Sequence, residues 1–200
     1  MAYQVVRQFE QTIADFAGAP FGVAVESGTA ALFLSLQYQA KVKRYAGPVY
    51  IPARTYPSVA CSIIHAGLPV HFQKRKWSGV YELAPLKIID AALRFKKGMY
   101  QPGTFYCLSF HAKKHLPIGR GGMILTDDPV AVEWLKLARF DGREELPLAE
   151  TKLPVVGWNM YLTPEQAARG LMLFQAFKGA EDLEFNSQSY PDLSKVAAYK

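Results

Sequence analysis

Short apolar runs alternate with longer segments of helical periodicity along this chain, and that alternation constrains the fold more than any other feature. Runs of β-favouring residues predict strands at residues 21–25, 49–51, 70–72, 87–89, 104–108 and 123–125. Helical spacing is found between or beside them, at residues 5–16, 30–39, 58–65 and 129–140. Such alternation is typical of a parallel sheet covered by helices on both faces. The sequence therefore predicts an α/β fold, a three-layer α/β/α domain with a mostly parallel sheet of about six strands.

Length and composition predict one domain. The chain has 200 residues, of which 50% are hydrophobic and 20% are charged. That length suits one well-buried domain and is short for two. We predict a single domain over residues 1–180, followed by a polar C-terminal tail over residues 181–200 that is loosely ordered.

Charge, cysteines and hydropathy narrow the class of protein. The formal net charge of +6 favours an anionic ligand, and the basic clusters at residues 74–76 and 96–97 are interpreted as solvated surface, not as a nucleic-acid site. Cys61 and Cys107 lie in apolar segments and are expected to be buried free thiols. No apolar stretch reaches membrane-spanning length, and the N-terminus has no signal core. We expect a cytoplasmic protein without nucleic-acid or membrane partners.

Three chemically distinct groups follow the predicted strands. The Ser-Gly-Thr turn at residues 27–29 separates a strand from a helix, where backbone N–H groups bind anions. Asp90 ends a second apolar run, and Ser109 and Lys114 follow a third. The carboxyl ends of strands form the ligand-binding edge of such sheets. An amine, a carboxylate and an anion-binding turn are what pyridoxal 5′-phosphate (PLP) requires, so the sequence predicts a PLP site.

Six ordered motifs resemble those of the DegT/StrS-type PLP-dependent sugar aminotransferases. Residues 23–32 are similar to the phosphate-binding stretch, and residues 52–56 to a turn that supplies a ring-stacking aromatic residue. Residues 89–92 resemble the aspartate motif, and residues 109–114 the serine–lysine motif. A glycine-rich stretch at residues 121–128 also matches in order. So does an asparagine loop at residues 157–159, with residues 166–168 after it. The resemblance extends over residues 9–174.

The resemblance implies an aminotransferase of PLP fold type I that moves an amino group from an amino-acid donor to a keto acceptor, with a keto-sugar nucleotide as the acceptor class. Lys114 would be the Schiff-base lysine, Asp90 the partner of the pyridine nitrogen and Tyr56 the ring-stacking residue. Four residues would hold the phosphate: Ser27, Gly28, Thr29 and Ser109. The family also implies a homodimer with shared active sites, in which Asn159 approaches the partner's phosphate.

Plainer interpretations stay open. Lys114, like Lys113, could be a surface charge, Asp90 could cap a helix, and Tyr56 could be a packing residue. At the level of function, the alternatives are a PLP-binding protein of the same fold without turnover and a different PLP reaction, of the dehydratase or racemase type. Lys114 argues against the dehydratase branch, in which the residue at the lysine position resembles histidine.

The chain departs from the family pattern in several places. Leu93 stands where members usually have Gln or His, Arg120 where an acidic residue often precedes the paired glycines, and Tyr161 where a basic or amide residue is common. Because the chain ends soon after a helix near Leu171, we expect a form that lacks the C-terminal small domain. The segment between residues 72 and 87 is also short, so we expect the sheet to have lost about one strand.

A physical argument independent of the family also favours a dimer. The last predicted helix carries large apolar side chains that a domain of this size leaves in need of cover: Leu171, Leu173, Phe174 and Phe177. Large exposed apolar patches usually mark interfaces. Two-fold symmetric pairing is the commonest way to cover one, so the expected assembly is an isologous homodimer.

Overall fold

The computed structural model describes residues 3–199. Its helices are α1 (Gln4–Ala17), α2 (Gly28–Lys41), α3 (Pro57–His65), α4 (Pro129–Ala138) and α5 (Pro164–Gln175). Its strands are β1 (Phe21–Val25), β2 (Val49–Pro52), β3 (Val70–Gln73), β4 (Tyr81–Leu83), β5 (Ile88–Asp90), β6 (Phe105–Ser109) and β7 (Gly122–Thr126). Short 3-10 turns follow at Ser187–Ser189, Leu193–Lys195 and Ala197–Tyr199. The predicted strands are confirmed to within one residue at each end, and β4 is a strand that the sequence analysis missed.

Local sequence signals explain where the helices begin. The side chain of Ser27 caps α2 by accepting from the backbone N–H of Ala30 at 3.0 Å, and Asp128 caps α4 in the same way. Thr163 and Gln166 form a capping box at the start of α5. None of the helices within residues 3–199 is long and apolar enough to cross a membrane.

The strand pairing corrects one expectation. The main sheet has five strands in the order β1-β7-β6-β5-β4, and β2 pairs separately with β3. Neighbours are parallel in the β5–β6 and β2–β3 pairs and antiparallel in the other three. The sheet is therefore mixed, not mostly parallel, because β7 and β4 run against their neighbours. The α/β class with helices on both faces is confirmed.

Most strands nevertheless share one direction. An antiparallel backbone bridge between Tyr50 and Ala84 joins β2 to the end of β4. When this bridge is combined with the pairings, β1, β2, β3, β5 and β6 all run the same way. Their carboxyl ends consequently lie on one edge, as expected for a ligand site built at strand ends.

The strand expected to be lost is present in a reversed direction. Only the four residues 84–87 separate β4 from β5, which is too few for the crossover that a parallel connection requires. The chain instead forms a hairpin, in which β4 pairs antiparallel with β5 and Tyr81 lies opposite Asp90. The expectation of a missing strand was wrong for this reason.

Two cores lie on the two faces of the main sheet. Val23 and Val25 of β1 pack into the core that includes residues of α2, α3 and α4, whereas Ala24 packs into the core that includes α1. Cys107 and Leu108 of β6 divide in the same way. This alternation follows from the two-residue period of a strand and produces the predicted three-layer arrangement.

The apolar side chains near α5 are already covered within the chain. Phe174 packs edge to face on Phe16 with ring centroids 5.3 Å apart, and Phe177 stacks on Phe95 at 5.0 Å. Leu171 and Leu173 are likewise partly buried against the same core. The physical argument for a dimer from these side chains therefore does not hold.

A buried ion pair ties α1, β1 and the end of α4 together. Arg139 and Glu10 have side chains that are 3% and 6% exposed, and a guanidinium nitrogen of Arg139 donates to Glu10 Oε1. The same Glu10 oxygen accepts from the backbone N–H of Ala24 at 2.8 Å, and Arg139 donates to the Ala24 carbonyl oxygen at 2.6 Å. Both charges are thus paired and hydrogen-bonded, which is the condition for burying them.

Candidate active site

A cavity of about 410 Å³ opens at the edge where the strands that share a direction end. Seven of the eight predicted site residues line this cavity: Ser27, Gly28, Thr29, Tyr56, Asp90, Ser109 and Lys114. Residues that are far apart in the sequence are thus brought together as the motifs predict. Asn159 is the eighth and does not line it.

One end of the cavity is built to receive an anion. Helix α2 begins here at Gly28, and the backbone N–H groups of Gly28 and Thr29 have no acceptor among residues 3–199. A Cβ atom on Gly28 would lie 2.9 Å from Ser109 Cβ, so glycine permits this close approach. Across the turn, a Cβ on Gly122 would clash with the Ser27 carbonyl oxygen. The free N–H groups and the helix dipole favour a phosphate at this end.

Hydroxyl groups surround the same end. Ser109 is the last residue of β6, and its Oγ accepts from the backbone N–H of His111 at 3.4 Å. Thr29 Oγ1 donates to Ser58 Oγ at 2.9 Å, which leaves the Ser58 proton free to point elsewhere. Ser58 lies in the first turn of α3 and also lines the cavity. Its hydroxyl adds a donor to the predicted phosphate site.

Asp90 presents a buried carboxylate to the cavity. It is 8% exposed and accepts from the Tyr81 hydroxyl at 2.7 Å and from the backbone N–H of Ala92 at 3.0 Å. Burial raises the pKa of Asp90, and these two donors together with the charge of Lys114 oppose that rise. A carboxylate held mainly by neutral donors is suited to pair with a cation supplied by a ligand.

Lys114 differs from its neighbour Lys113 in burial. Both residues line the cavity, but Lys114 is half-buried whereas Lys113 is exposed. Burial lowers the pKa of Lys114, and the charge of Asp90 partly restores it. A lysine whose pKa is depressed has a larger neutral fraction and is a better nucleophile, so Lys114 is the more suitable reactive amine.

An aromatic wall borders the cavity. Trp77 and Tyr190 stack with ring centroids 5.7 Å apart and an interplanar angle of 22°. Tyr56 meets Tyr190 edge to face at 6.5 Å and is 60% exposed. Because Tyr56 lines the cavity with its ring largely uncovered, it can pack on a planar ligand as predicted.

Tyr190 belongs to the C-terminal segment, which contributes part of the cavity lining. The guanidinium group of Arg94 donates two hydrogen bonds to the carboxylate of Asp182, at 2.9 and 2.6 Å, in a bidentate arrangement. Arg54 donates to the Tyr190 carbonyl oxygen at 2.9 Å, and the Leu193 N–H donates to Ala53 O at 2.8 Å. These contacts place residues 182–193 beside the cavity. The loose order predicted for residues 181–200 stays a prediction.

The departures from the family pattern have different surroundings. Leu93 is 3% exposed and lines the cavity with an apolar side chain. Arg120 lies at the cavity and pairs with Glu26 at 2.7 Å. Tyr161 lies outside it and packs edge to face on Phe140 with centroids 5.0 Å apart. Leu93 and Arg120 therefore bear on ligand contacts, whereas Tyr161 has a packing role.

Asn159 does not line the cavity in this chain. Its side-chain amide donates to Asp141 Oδ2 at 3.2 Å on the surface, and its backbone forms a bridge with Phe140. The role assigned to Asn159 was a contact with the partner subunit's cofactor. That role stays a prediction.

The groups around the cavity fit PLP. The N-terminus of α2 matches the phosphate, and the buried carboxylate of Asp90 matches a protonated pyridine nitrogen. The exposed ring of Tyr56 matches the planar ring, and the half-buried amine of Lys114 matches the aldehyde.

Three contributors to the site were missed in the sequence. Ser58 has a local signal, because it follows Pro57 at the start of a helix that leaves the carboxyl end of a strand. Tyr81 lies in the unpredicted strand β4, and its contact with Asp90 depends on the antiparallel register. Tyr190 reaches the cavity through tertiary contacts of the C-terminal segment, which no local pattern indicates.

The raised pKa of Asp90 predicts how stability depends on pH in the cofactor-free protein. The folded state holds this proton more tightly than the unfolded chain, so the free energy of unfolding falls as pH rises from the ordinary value of 3.8 through the raised folded pKa. Asp90→Asn cannot titrate. We therefore expect its unfolding free energy, relative to the unchanged protein, to increase as pH rises from 3.8 through the folded pKa of Asp90 in urea titrations. A constant difference across that range would contradict a raised pKa.

Comparisons with known proteins identify the family. The DegT/DnrJ/EryC1/StrS aminotransferase family matches residues 1–76 and 96–182. The spore coat polysaccharide biosynthesis protein SpsC of Bacillus subtilis is 28% identical over 198 residues, covering 78% of this chain and 48% of SpsC. GDP-perosamine synthase of Caulobacter vibrioides is 27% identical over 209 residues, covering 82% and 54%. The chain thus spans about half the length of the curated relatives it matches.

Solved structures show the same fold. A putative PLP-dependent aminotransferase from Bacillus cereus superposes with a TM-score of 0.73 at 20% identity, over 88% of this chain and 59% of that one. PseC of Helicobacter pylori, an aminotransferase of pseudoaminic acid biosynthesis, superposes with a TM-score of 0.69 at 18% identity, over 86% and 57%. The fold is therefore that of a PLP-transferase large domain, as expected from the sequence.

Proposed function

Because this chain belongs to the DegT/DnrJ/EryC1/StrS aminotransferase family, we propose that it binds PLP and transfers an amino group from an amino-acid donor to a keto acceptor. The observation that carries the proposal is the meeting of Lys114, Asp90 and the N-terminus of α2 on one cavity. Family membership names the chemistry, and this geometry supplies its groups. The unmatched stretch between residues 76 and 96 contains Asp90, so its role is supported by geometry above all.

Each residue of the site has a separate role in the proposed reaction. PLP, when bound, supplies a ring that withdraws electrons from the carbon next to the donor's nitrogen. Ser27, Gly28, Thr29 and Ser109 hold its phosphate, and Asp90 keeps the ring nitrogen protonated through its negative charge. Lys114, whose pKa is lowered, has a neutral fraction that takes a proton from the donor carbon and later returns one. Tyr56 packs the exposed face of its own ring against the cofactor ring and so holds the cofactor ring in position.

We propose a keto-sugar nucleotide as the acceptor. The exposed cations Lys113 and Arg120 border the cavity, and they suit the phosphates of a nucleotide. The names of the two curated relatives, a polysaccharide biosynthesis protein and GDP-perosamine synthase, support the same substrate class. The amino donor is an amino acid by analogy with the family.

We propose a homodimer with shared active sites. The loop between α4 and α5 carries exposed apolar side chains that a partner subunit would cover: Leu146, Leu148, Leu153 and Val156. Asn159 follows this loop and would reach the partner's phosphate. Light scattering should give the mass of two chains, and Leu148→Asp should shift the protein toward monomers. A monomer that binds PLP tightly would contradict the shared site.

A cytoplasmic location is also proposed. Cys107 is a buried free thiol in β6, and Cys61 is likewise unpaired, which is usual in a reducing compartment. Nucleotide sugars as substrates would fit the same location. Neither a nucleic acid nor a membrane is proposed as a partner.

A half-reaction tests the proposed function. The purified protein is loaded with PLP and then mixed with single amino acids, while the visible spectrum and the keto-acid product are followed. At least one donor should change the spectrum and release one keto acid for each PLP. If PLP binds but no donor changes the spectrum, the alternative of a PLP-binding protein without turnover is correct, an alternative that the apolar Leu93 in the cavity favours.

A further inference from the structure

Asp90 is held by a chain of hydroxyl groups that comes from β4 and from the turn after β2. Tyr81 lies directly opposite Asp90 in the antiparallel register of β4 and β5. Its hydroxyl donates to Asp90 Oδ2 at 2.7 Å, and Tyr81 is 6% exposed. A second hydroxyl, that of Thr55, is hydrogen-bonded to the Tyr81 oxygen.

The direction of these hydrogen bonds follows from the donors available. A phenol has one proton, and Tyr81 gives it to Asp90 because a carboxylate only accepts. The hydroxyl of Thr55 must therefore donate to Tyr81, which makes Tyr81 a stronger donor in turn. Thr55 adjoins Tyr56, so the chain links the ring-stacking turn to the carboxylate.

We propose that Tyr81 is a positioning residue that keeps Asp90 ionised and aimed at the ring nitrogen of the cofactor, with Thr55 as its support. The ring nitrogen enters only through the proposed function, on which this part of the proposal rests. Tyr81 lies in the stretch between the two segments that the family matches. It lies in β4, which forms an antiparallel hairpin with β5 where a parallel connection was expected.

The electrostatics of the pair support this role. Burial raises the pKa of Asp90, and the Tyr81 hydrogen bond is the first of the effects that lower it again. Burial also raises the pKa of Tyr81 well above 10.0, so the phenol remains a donor. The other titratable groups that interact electrostatically with Asp90 are Lys114, Cys107 and Tyr190. Burial raises the pKa of Cys107 to about 12 and that of Tyr190 above 10.0, so Lys114 is the cation among them.

The first test uses the cofactor-free protein. The pKa of Asp90 is measured from the pH dependence of its side-chain carboxyl carbon in NMR spectra, with Asp90→Asn used for assignment. In Tyr81→Phe this pKa should rise by about one pH unit, because a hydrogen bond to a charged group is lost. The control is Tyr100→Phe, in which another buried phenol loses a bond to a carbonyl oxygen, that of Thr104, away from the cavity. It should leave the pKa of Asp90 unchanged.

The second test uses the PLP-loaded protein. Tyr81→Phe should weaken PLP binding about tenfold and should move the acid limb of the visible spectrum to higher pH. In an Asp90→Asn background the same change should have no further effect, because Tyr81 acts through Asp90. Thr55→Val should act in the same direction with a smaller effect, and Thr55→Ser should restore the behaviour of the unchanged protein.

The outcomes separate this inference from the proposed function. If the pKa of Asp90 is the same in Tyr81→Phe and in the unchanged protein, the positioning role is overturned even where PLP binds. An effect of Tyr81→Phe on PLP binding that persists in Asp90→Asn would also overturn it. A failure of the unchanged protein to bind PLP would overturn the proposed function, while the NMR measurement would still decide whether Tyr81 controls Asp90.

Discussion

Lys114→Arg should reduce the amino-donor half-reaction by about 10²–10⁴-fold, the contribution typical of a positioned proton-transfer group. Arginine keeps the charge and most of the length, but it cannot be deprotonated under ordinary conditions and cannot act as the amine. The half-buried position of Lys114 and its lowered pKa are what make a neutral amine available. The measurement is single-turnover absorbance after mixing with the best donor.

Lys113→Arg is the matched control. Lys113 precedes Lys114 and also lines the cavity, but it is exposed. Its replacement should change the half-reaction by less than about threefold, since an exposed cation is retained. Equal losses in the two variants would contradict the assignment of Lys114.

Arg139→Met should lower the free energy of unfolding by about 3–5 kcal/mol, as expected when one partner of a buried ion pair is removed. The carboxylate of Glu10, only 6% exposed, would be left without its cation. The Ala24 carbonyl oxygen would also lose a donor. Because the pair joins α1, β1 and the end of α4, the loss should appear in global unfolding, measured by urea titration of the cofactor-free protein.

Two further variants isolate the buried charge. Arg7→Met breaks an exposed pair with Glu145 in the same region, in which the Arg7 side chain is 44% exposed, and should cost at most about 1 kcal/mol. Adding Glu10→Gln to Arg139→Met should regain part of the loss, because glutamine leaves no unpaired buried charge. If Arg139→Met and Arg7→Met destabilise equally, the buried pair has no special role.

The sequence predicted those parts of the fold that depend on local signals. The alternation of apolar runs placed six of the strands to within one residue at each end, and the turn at residues 27–29 marked the start of α2, which Ser27 caps. Strand direction was less accessible, because period-two patterns do not distinguish parallel from antiparallel neighbours. The short segment between residues 72 and 87 was visible in the sequence, but its length alone does not distinguish a lost strand from the antiparallel β4.

The site residues likewise fall into those that local signals predict and those that depend on tertiary contacts. Groups at strand ends, such as Asp90 and Ser109, were predictable because the carboxyl ends of strands with a common direction meet at one edge. Tyr81 and Tyr190 were not, since Tyr81 reaches Asp90 through strand pairing and Tyr190 reaches the cavity through a tertiary contact. No short motif encodes either contact. The apolar side chains of α5 were misread as an interface because a helix pattern does not say which face of the same chain covers it.

The most direct test of the account is the chemical identity of the residue that carries the cofactor. The protein is loaded with PLP, reduced with borohydride, digested and analysed by peptide mass spectrometry. The account predicts a yellow protein before reduction and a single labelled lysine afterwards, Lys114, because this lysine is half-buried on the cavity that also holds Asp90. A label on Lys113, or a protein that takes up no label, would contradict it.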